Sequence, residues 1–174
     1  QKSKDYLKQS YKFINNDKYA LIIYETLNQY LYVFEEKKIL KTKKTFGNFS
    51  LINEVFQRCY LGDKDTQNYF EILLNNADNL DYSRYIFFYV NYLVENNKYQ
   101  EAKKITDNLD YLNSPLLISQ SKKWIEEKKY EELKTIFSCR DSNDIVSELF
   151  FLIANLYSSR DNYNQSNFYL NISN

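Results

Sequence analysis

The sequence predicts an all-α protein, a superhelix (solenoid) of about five antiparallel helical hairpins. Apolar residues recur at steps of three and four, and the 174 residues include only one proline and two glycines. Short polar breaks separate the apolar stripes, and each is long enough only to reverse the chain, so its flanking helices should be antiparallel neighbours. The breaks are NNDK at 15–18, GDKD at 62–65, ENNK at 95–98, EEKK at 126–129 and SRDN at 159–162.

Tyrosines that follow these breaks define a repeat. The last three, Tyr99, Tyr130 and Tyr163, are separated by 31 and 33 residues, a period typical of two-helix units that bury their apolar faces by stacking. Large residues stand six positions before each tyrosine and small or modest ones nine before, a pairing that close helix contact requires. With Tyr19 included, the large residues are Phe13, Leu93, Trp124 and Tyr157, the small ones Ser10, Val90, Ser121 and Ala154, and those three positions after the tyrosine Ile22, Ala102, Leu133 and Ser166.

At these positions the chain resembles the tetratricopeptide repeat family. In that family a small residue and an aromatic lie in the first helix, a tyrosine opens the second, and an alanine follows three residues later. The resemblance covers 49–174 and is closest in 82–110, whereas Leu133 replaces the expected small residue in 113–138. The segment 82–110 matches at Val90, Leu93, Asn97, Tyr99 and Ala102, and Pro115 lies close to where the family often has a closing proline. The segment 146–173 matches at Ala154, Tyr157, Tyr163 and Ser166. The segment 3–30 matches only at Ser10, Phe13 and Tyr19, and 49–76 only in the spacing of Tyr60 and Thr66.

The predicted organisation follows from these boundaries. We expect an N-terminal helical hairpin and lysine-rich connector at 1–48, then repeats at about 49–80, 81–112, 113–142 and 143–174. Within 1–48 a second interpretation is open, because Tyr30, Tyr32 and Phe34 alternate like a half-buried strand. KKILKTKK at 37–44 and the following TFGN would then form a turn and a returning strand. Helix is favoured there because all the neighbouring sequence is helical.

The composition argues against several kinds of catalytic site. The chain has no histidine, which excludes Ser-His-Asp and Cys-His catalysis and HExxH zinc sites. Two glycines are too few for a phosphate-binding GxxxxGK or GxGxxG loop. Adjacent carboxylates such as Glu131 and Glu132 point about 100° apart on a helix and are read as solvated faces. We therefore expect no enzyme activity, no cofactor and no metal site.

Further expectations concern the cysteines, membrane insertion, and the location and source of the protein. Cys59 and Cys139 are interpreted as reduced apolar fillers, with one disulfide or a reactive thiol as alternatives. No apolar run approaches the ~20 residues that span a bilayer. A cytoplasmic location is favoured, and a processed exported chain is the alternative because Gln1 is not an initiator methionine. The Asn, Lys, Ile and Tyr bias is typical of an AT-rich genome, and we expect a bacterial protein.

The resemblance also implies a binding surface. In this family the first helices of the hairpins line a concave groove that holds an extended or helical peptide. Asn91 and Asn155 would then hydrogen-bond a peptide backbone, while Arg84 and Lys122 would pair with acidic groups. The groove positions so implied are Arg84, Phe87 and Asn91, then Ile118 and Lys122, then Phe151 and Asn155.

Two functions are predicted. The leading one is a non-catalytic repeat scaffold that binds a protein or peptide, within a larger assembly or a longer parent protein. The alternative is a regulatory or enzyme-associated helical domain that binds a small ligand or nucleic acid through the lysine-rich segment 37–44; nucleic acid is not favoured, since no aromatic residue interrupts that segment to stack a base. Apolar residues near the chain end should be covered by further repeats or by self-association into a homo-oligomer, namely Phe168, Tyr169, Leu170 and Ile172.

Overall fold

The computed structural model describes residues 2–14, 17–40, 46–75, 83–109 and 116–174. Helices dominate these ranges, and no strand occurs within them. The predicted all-α class is therefore confirmed for this part of the chain. The helices are α1 (Lys2–Ser10), a short 3-10 helix (Tyr11–Phe13), α2 (Lys18–Glu36), α3 (Asn48–Leu61), α4 (Thr66–Asn75), α5 (Ser83–Glu95), α6 (Tyr99–Asp107), α7 (Leu116–Glu126), α8 (Tyr130–Lys134), α9 (Ser142–Ser158) and α10 (Tyr163–Ser173).

Helix α2 decides between the two interpretations of the N-terminal region. Asp17 caps its start, because the side-chain Oδ1 accepts hydrogen bonds from the backbone N–H groups of Tyr19 and Ala20 at 2.8 and 3.3 Å. The helix runs unbroken to Glu36, so the strand interpretation of residues 30–34 is wrong. Residues 41–44 of the lysine-rich segment and Thr45 of the predicted return lie outside the described residues, as does Pro115.

Three corners of the chain have the same backbone conformation. Asn97, Lys128 and Asp161 are left-handed, with φ of 60°, 56° and 57°, and each stands two residues before the tyrosine that opens the next helix. The N–H of the following residue donates a hydrogen bond to the carbonyl five residues earlier, so a backbone acceptor in the last turn of the first helix has a partner. These bonds are Lys98 to Leu93 at 2.8 Å, Lys129 to Trp124 at 2.7 Å and Asn162 to Tyr157 at 3.1 Å.

The tyrosine positions predicted from the repeat are confirmed as helix starts. Helices α6, α8 and α10 begin at Tyr99, Tyr130 and Tyr163. Helix α4 begins at Thr66, the residue that takes the tyrosine's place in the weakest match. The corner sequences are therefore a reliable local signal, because a left-handed residue and two backbone bonds are set within a few residues of chain.

The chain divides into two compact units, each described by itself. Unit 1 comprises Gln1–Asp63 and Ser142–Asn174. Within it, α9 packs against α10 and also contacts α2. A solenoid brings together hairpins that are neighbours in sequence, so the contact of α9 with α2 does not follow from the predicted superhelix.

The interior of unit 1 contains hydrogen-bonded polar side chains. Asn53 of α3 accepts a hydrogen bond from the Tyr30 hydroxyl at 2.9 Å and donates one to the Thr26 hydroxyl at 2.8 Å, and all three residues are buried. Burial raises the pKa of Tyr30 well above its ordinary value, and the charge of Glu148 adds to the shift. The phenol therefore stays protonated and remains a hydrogen-bond donor between α2 and α3.

Unit 2 comprises Lys64–Asp141 and is arranged around α5, which contacts α4, α6, α7 and α8. Two repeat tyrosines connect its successive hairpins, because the rings of Tyr99 and Tyr130 stack at 4.2 Å between centres. The small residues expected at close helix contacts are buried at Val90, Ala102 and Ser121. The stacking of consecutive hairpins into a superhelix stays a prediction.

Other residues depart from the predicted pattern or agree with it only in part. Phe13 is 78% exposed and Ser10 is exposed, so the first match lacks the packing of a repeat's first helix. Cys59 and Cys139 were expected to be reduced and half-buried; both are fully buried and neither is a free thiol, so that expectation is wrong. No described helix is both long and apolar enough to cross a membrane.

The apolar residues near the end of the chain differ in their exposure. Phe168, Leu170 and Ile172 of α10 are exposed. Tyr169 instead packs inward, with its ring stacked on that of Tyr157 at 5.5 Å. A partner that covers the exposed residues stays a prediction.

Candidate functional site

One face of α5 brings predicted binding residues together with another part of the chain. Arg84, Phe88 and Asn91 lie within about 60° of one another around the helix axis, and we call these three residues the α5 face. The guanidinium carbon of Arg84 lies 5.2 Å from the centre of the Phe88 ring, a cation–π distance. The α5 face thus combines a cation, an aromatic ring and an amide on adjacent turns.

A non-helical segment after α8 lies against the α5 face. The ring of Phe137 stacks on Phe88 with 3.8 Å between centres and 20° between planes. Asn91 donates a hydrogen bond from Nδ2 to the backbone carbonyl of Phe137. We call residues 135–138 the internal segment. It binds the α5 face with one aromatic side chain and one backbone carbonyl.

This contact pairs the Nδ2 donor of the Asn91 side chain but not its Oδ1 acceptor. The side chain is 1% exposed, and its Oδ1 has no hydrogen-bond partner among the described residues. A buried acceptor without a donor costs about 1–3 kcal/mol, because it has lost its water and gained nothing in return. The site therefore holds an acceptor that a further N–H group could satisfy.

The structure distributes the seven predicted groove residues unevenly. Phe87, Asn91 and Ile118 are buried, so none of these three forms part of an exposed surface. Arg84 and Lys122 are partly exposed in unit 2, whereas Phe151 is partly exposed and Asn155 exposed on α9 of unit 1. Phe87 is buried because α5 is contacted by α4, α6, α7 and α8, which together cover most of its surface.

Sequence reasoning missed both members of the stacked aromatic pair. Phe88 stands three residues before Asn91, so helical spacing alone could have placed it on the α5 face. Phe137 had no comparable signal, because it contacts α5 across 46 residues of chain from a segment without regular structure. Only the folded chain shows that this phenylalanine belongs to the site.

A second concave region lies beside Tyr89, elsewhere on α5. It is a cavity of about 310 Å³, and Glu71 accepts a hydrogen bond from the Tyr89 hydroxyl at its wall at 2.8 Å. Gln67 donates to Glu101 at 2.8 Å. Burial, followed by the hydrogen bond to Glu71, raises the pKa of Tyr89, so its hydroxyl is a neutral donor at physiological pH. The residues that line the cavity are Gln67, Glu71, Tyr89, Glu101, Lys104, Ile105 and Asn108.

The described residues give little support to a metal site or to a binding role for the lysine-rich segment. Within the described ranges, no group of three or more His, Cys, Asp or Glu side chains is arranged to hold a metal ion. Lys37 of the lysine-rich segment donates to the Tyr60 hydroxyl at 3.2 Å, and its ammonium lies 4.7 Å from the centre of that ring. This lysine is already engaged within unit 1, and the lysines from 41 onward fall outside the described residues.

Comparison with family models, with curated proteins and with solved structures finds no match for this chain. The resemblance to tetratricopeptide repeats therefore depends on the residues themselves.

Proposed function

We propose that this protein is a non-catalytic scaffold of tetratricopeptide-like helical repeats that binds a protein or peptide. The observation that supports this most directly is the contact at the α5 face, where Asn91 bonds a backbone carbonyl and Phe88 stacks on a phenylalanine. A helix face that already binds a non-helical segment of its own chain has the donor and the apolar area that a peptide partner needs.

The repeat part of the proposal applies best to unit 2. Its support is the stacking of Tyr99 on Tyr130 and the buried small residues Val90, Ala102 and Ser121. Stacking of consecutive hairpins into a superhelix is proposed for α5 to α8 on this ground. The partly exposed Arg84 and Lys122 would provide positive charge on its first helices for acidic groups of the partner.

A peptide-display selection tests the proposal. The full chain is immobilised, a random 12-residue peptide library is selected against it, and enriched peptides are synthesised for titration. We expect Arg84→Ala or Lys122→Ala to weaken the affinity for these peptides about five- to thirtyfold, the effect of losing one favourable charged contact of roughly 1 to 2 kcal/mol.

Lys64→Ala is the matched control, because it removes an exposed lysine from unit 2 outside these helices. Circular dichroism of each variant shows whether the fold is retained. The proposal fails if no peptide is enriched, or if enriched peptides bind folded Arg84→Ala and Lys122→Ala variants as tightly as the unchanged chain.

A further inference from the structure

We propose that the internal segment, residues 135–138, is a built-in ligand of the α5 face, and that the partner is a peptide whose own aromatic residue takes the place of Phe137. This inference rests on the proposed function and adds two things to it: the chemistry of the peptide and a means of restraining its binding.

The internal segment leaves α8 through a turn at 135–136 and inserts one side chain against the α5 face. Phe137 is 5% exposed, whereas its neighbour Ile136 is 49% exposed, so one side chain is inserted and the preceding one faces solvent. The inserted ring stacks on Phe88, and its carbonyl accepts from Asn91. Main-chain hydrogen bonding combined with a pocket for one side chain is a recurrent mode of peptide recognition.

Asn91 gives an external peptide an interaction that the internal segment lacks. A carboxamide offers both a donor and an acceptor, and the described residues use only the donor, because Oδ1 is buried without a partner. A peptide backbone carries a carbonyl and an N–H. A partner that brings an N–H group to Oδ1 as well as a carbonyl to Nδ2 satisfies both halves of the Asn91 side chain.

The internal segment has the advantage of being tethered. Attachment to the same chain gives such a segment an effective concentration on the order of millimolar, so a short free peptide with the same contacts competes poorly. Cys139 is not a free thiol, so the proposed exchange is confined to the residues before it. The segment therefore restrains binding by weak peptides and yields to a partner with the additional N–H contact.

Fluorescence anisotropy with the full chain tests this proposal. The probe is a labelled, C-terminally amidated peptide of sequence ELKTIFS, which copies residues 132–138. Phe137→Ala removes the internal ring, and Ile136→Ala is the matched control because it removes an exposed neighbour. We expect Phe137→Ala to bind the probe at least about tenfold more tightly than the unchanged chain or Ile136→Ala, and Asn91→Leu added to Phe137→Ala to abolish that gain.

Equal binding of the probe by the unchanged chain and by folded Phe137→Ala would overturn the inference. If peptides from the display selection still depend on Arg84 and Lys122 in that case, the proposed function stands without it. If neither the probe nor any selected peptide binds any variant, both proposals fail.

Hydrogen exchange of the unchanged chain keeps the inference testable if Phe137→Ala does not fold. We expect the amides of 136–138 to exchange through a local opening, faster than the amides in the centre of α5. Exchange of 136–138 only at the rate of the α5 centre would overturn the proposal, because a segment that never leaves by itself cannot be replaced by a partner.

Discussion

The hairpins α5–α6 and α9–α10 turn the same corner but differ in what happens afterwards. In both, a left-handed residue precedes the tyrosine that opens the second helix, and the tyrosine hydroxyl donates to that residue's side chain: Tyr99 to Asn97 at 2.7 Å and Tyr163 to Asp161 at 2.9 Å. Helix α6 buries Ala102 and Thr106, while α10 has no buried residue. The corner is thus set by nearby residues, whereas burial of the returning helix depends on the helices that pack against it.

The difference has a physical cause in the packing of unit 2. Helix α6 contacts both α5 and α7, so its small residues lie against two neighbours. The extensive contacts of α10 are with α9, and α10 therefore keeps apolar side chains in solvent. Substitutions in unit 2 and in the α9–α10 hairpin should consequently differ in their effect on stability, and four predictions probe these two regions.

The largest difference is expected between two leucines. Leu133 of α8 is completely buried and Leu170 of α10 is 39% exposed. Leu133→Ala should destabilise the protein by about 2–5 kcal/mol through lost burial and a cavity, and Leu170→Ala by no more than about 0.5 kcal/mol. Urea unfolding measures both. Similar losses for the two variants would show that the end of the chain is as well packed as unit 2.

Overpacking gives the next largest contrast. Ala102 of α6 is fully buried, and Ser166, its counterpart on α10, is partly exposed. Ala102→Phe should cost about 1–3 kcal/mol by forcing α5 and α6 apart, whereas Ser166→Phe has room to turn toward solvent. Thermal unfolding of both variants gives the comparison. An unchanged melting temperature for Ala102→Phe would refute the repeat register.

A smaller effect of opposite sign is expected at the corners. Lys128 is left-handed, with φ of 56°, a conformation that costs an ordinary residue about 1–2 kcal/mol. Lys128→Gly should therefore stabilise the protein by up to about 1 kcal/mol, after allowance for the greater freedom of glycine in the unfolded chain. Asp161→Gly should gain less, since it also loses the hydrogen bond from Tyr163. A loss of stability in Lys128→Gly would contradict the shared corner.

The smallest effect concerns alkaline pH and the α9–α10 hairpin. Burial, followed by the charge of Asp17, raises the pKa of Tyr157 from 10.0 to about 12. The folded state therefore holds this proton more firmly than the unfolded state, so its contribution is complete below pH 10 and is lost as pH rises toward 12. Tyr157→Phe should lose less stability than the unchanged chain between pH 10 and 12 in urea titrations. Parallel curves would count against the buried environment of this phenol.

The parts of the fold that sequence reasoning predicted are those fixed by nearby residues. The all-α class, the three corners and the helix starts at Tyr99, Tyr130 and Tyr163 each depend on spacings of a few residues. The site was predicted less well: Asn91 lies at a backbone contact, but the contact is with Phe137 of the same chain. The family resemblance placed Phe87 and Ile118 in a groove, and both are buried instead, because a resemblance at a few positions does not say which helices cover a given face.

The sequence by itself determined that the chain is helical and where it turns, since apolar period, scarce glycine and proline, and corner residues act over one or two helical turns. Only the tertiary structure decided which returning helix is buried, that α9 contacts α2, and that Phe137 lies on Phe88. These contacts are between residues that lie far apart in the sequence. They depend on how whole surfaces fit together, and that fit is a property of the packed chain.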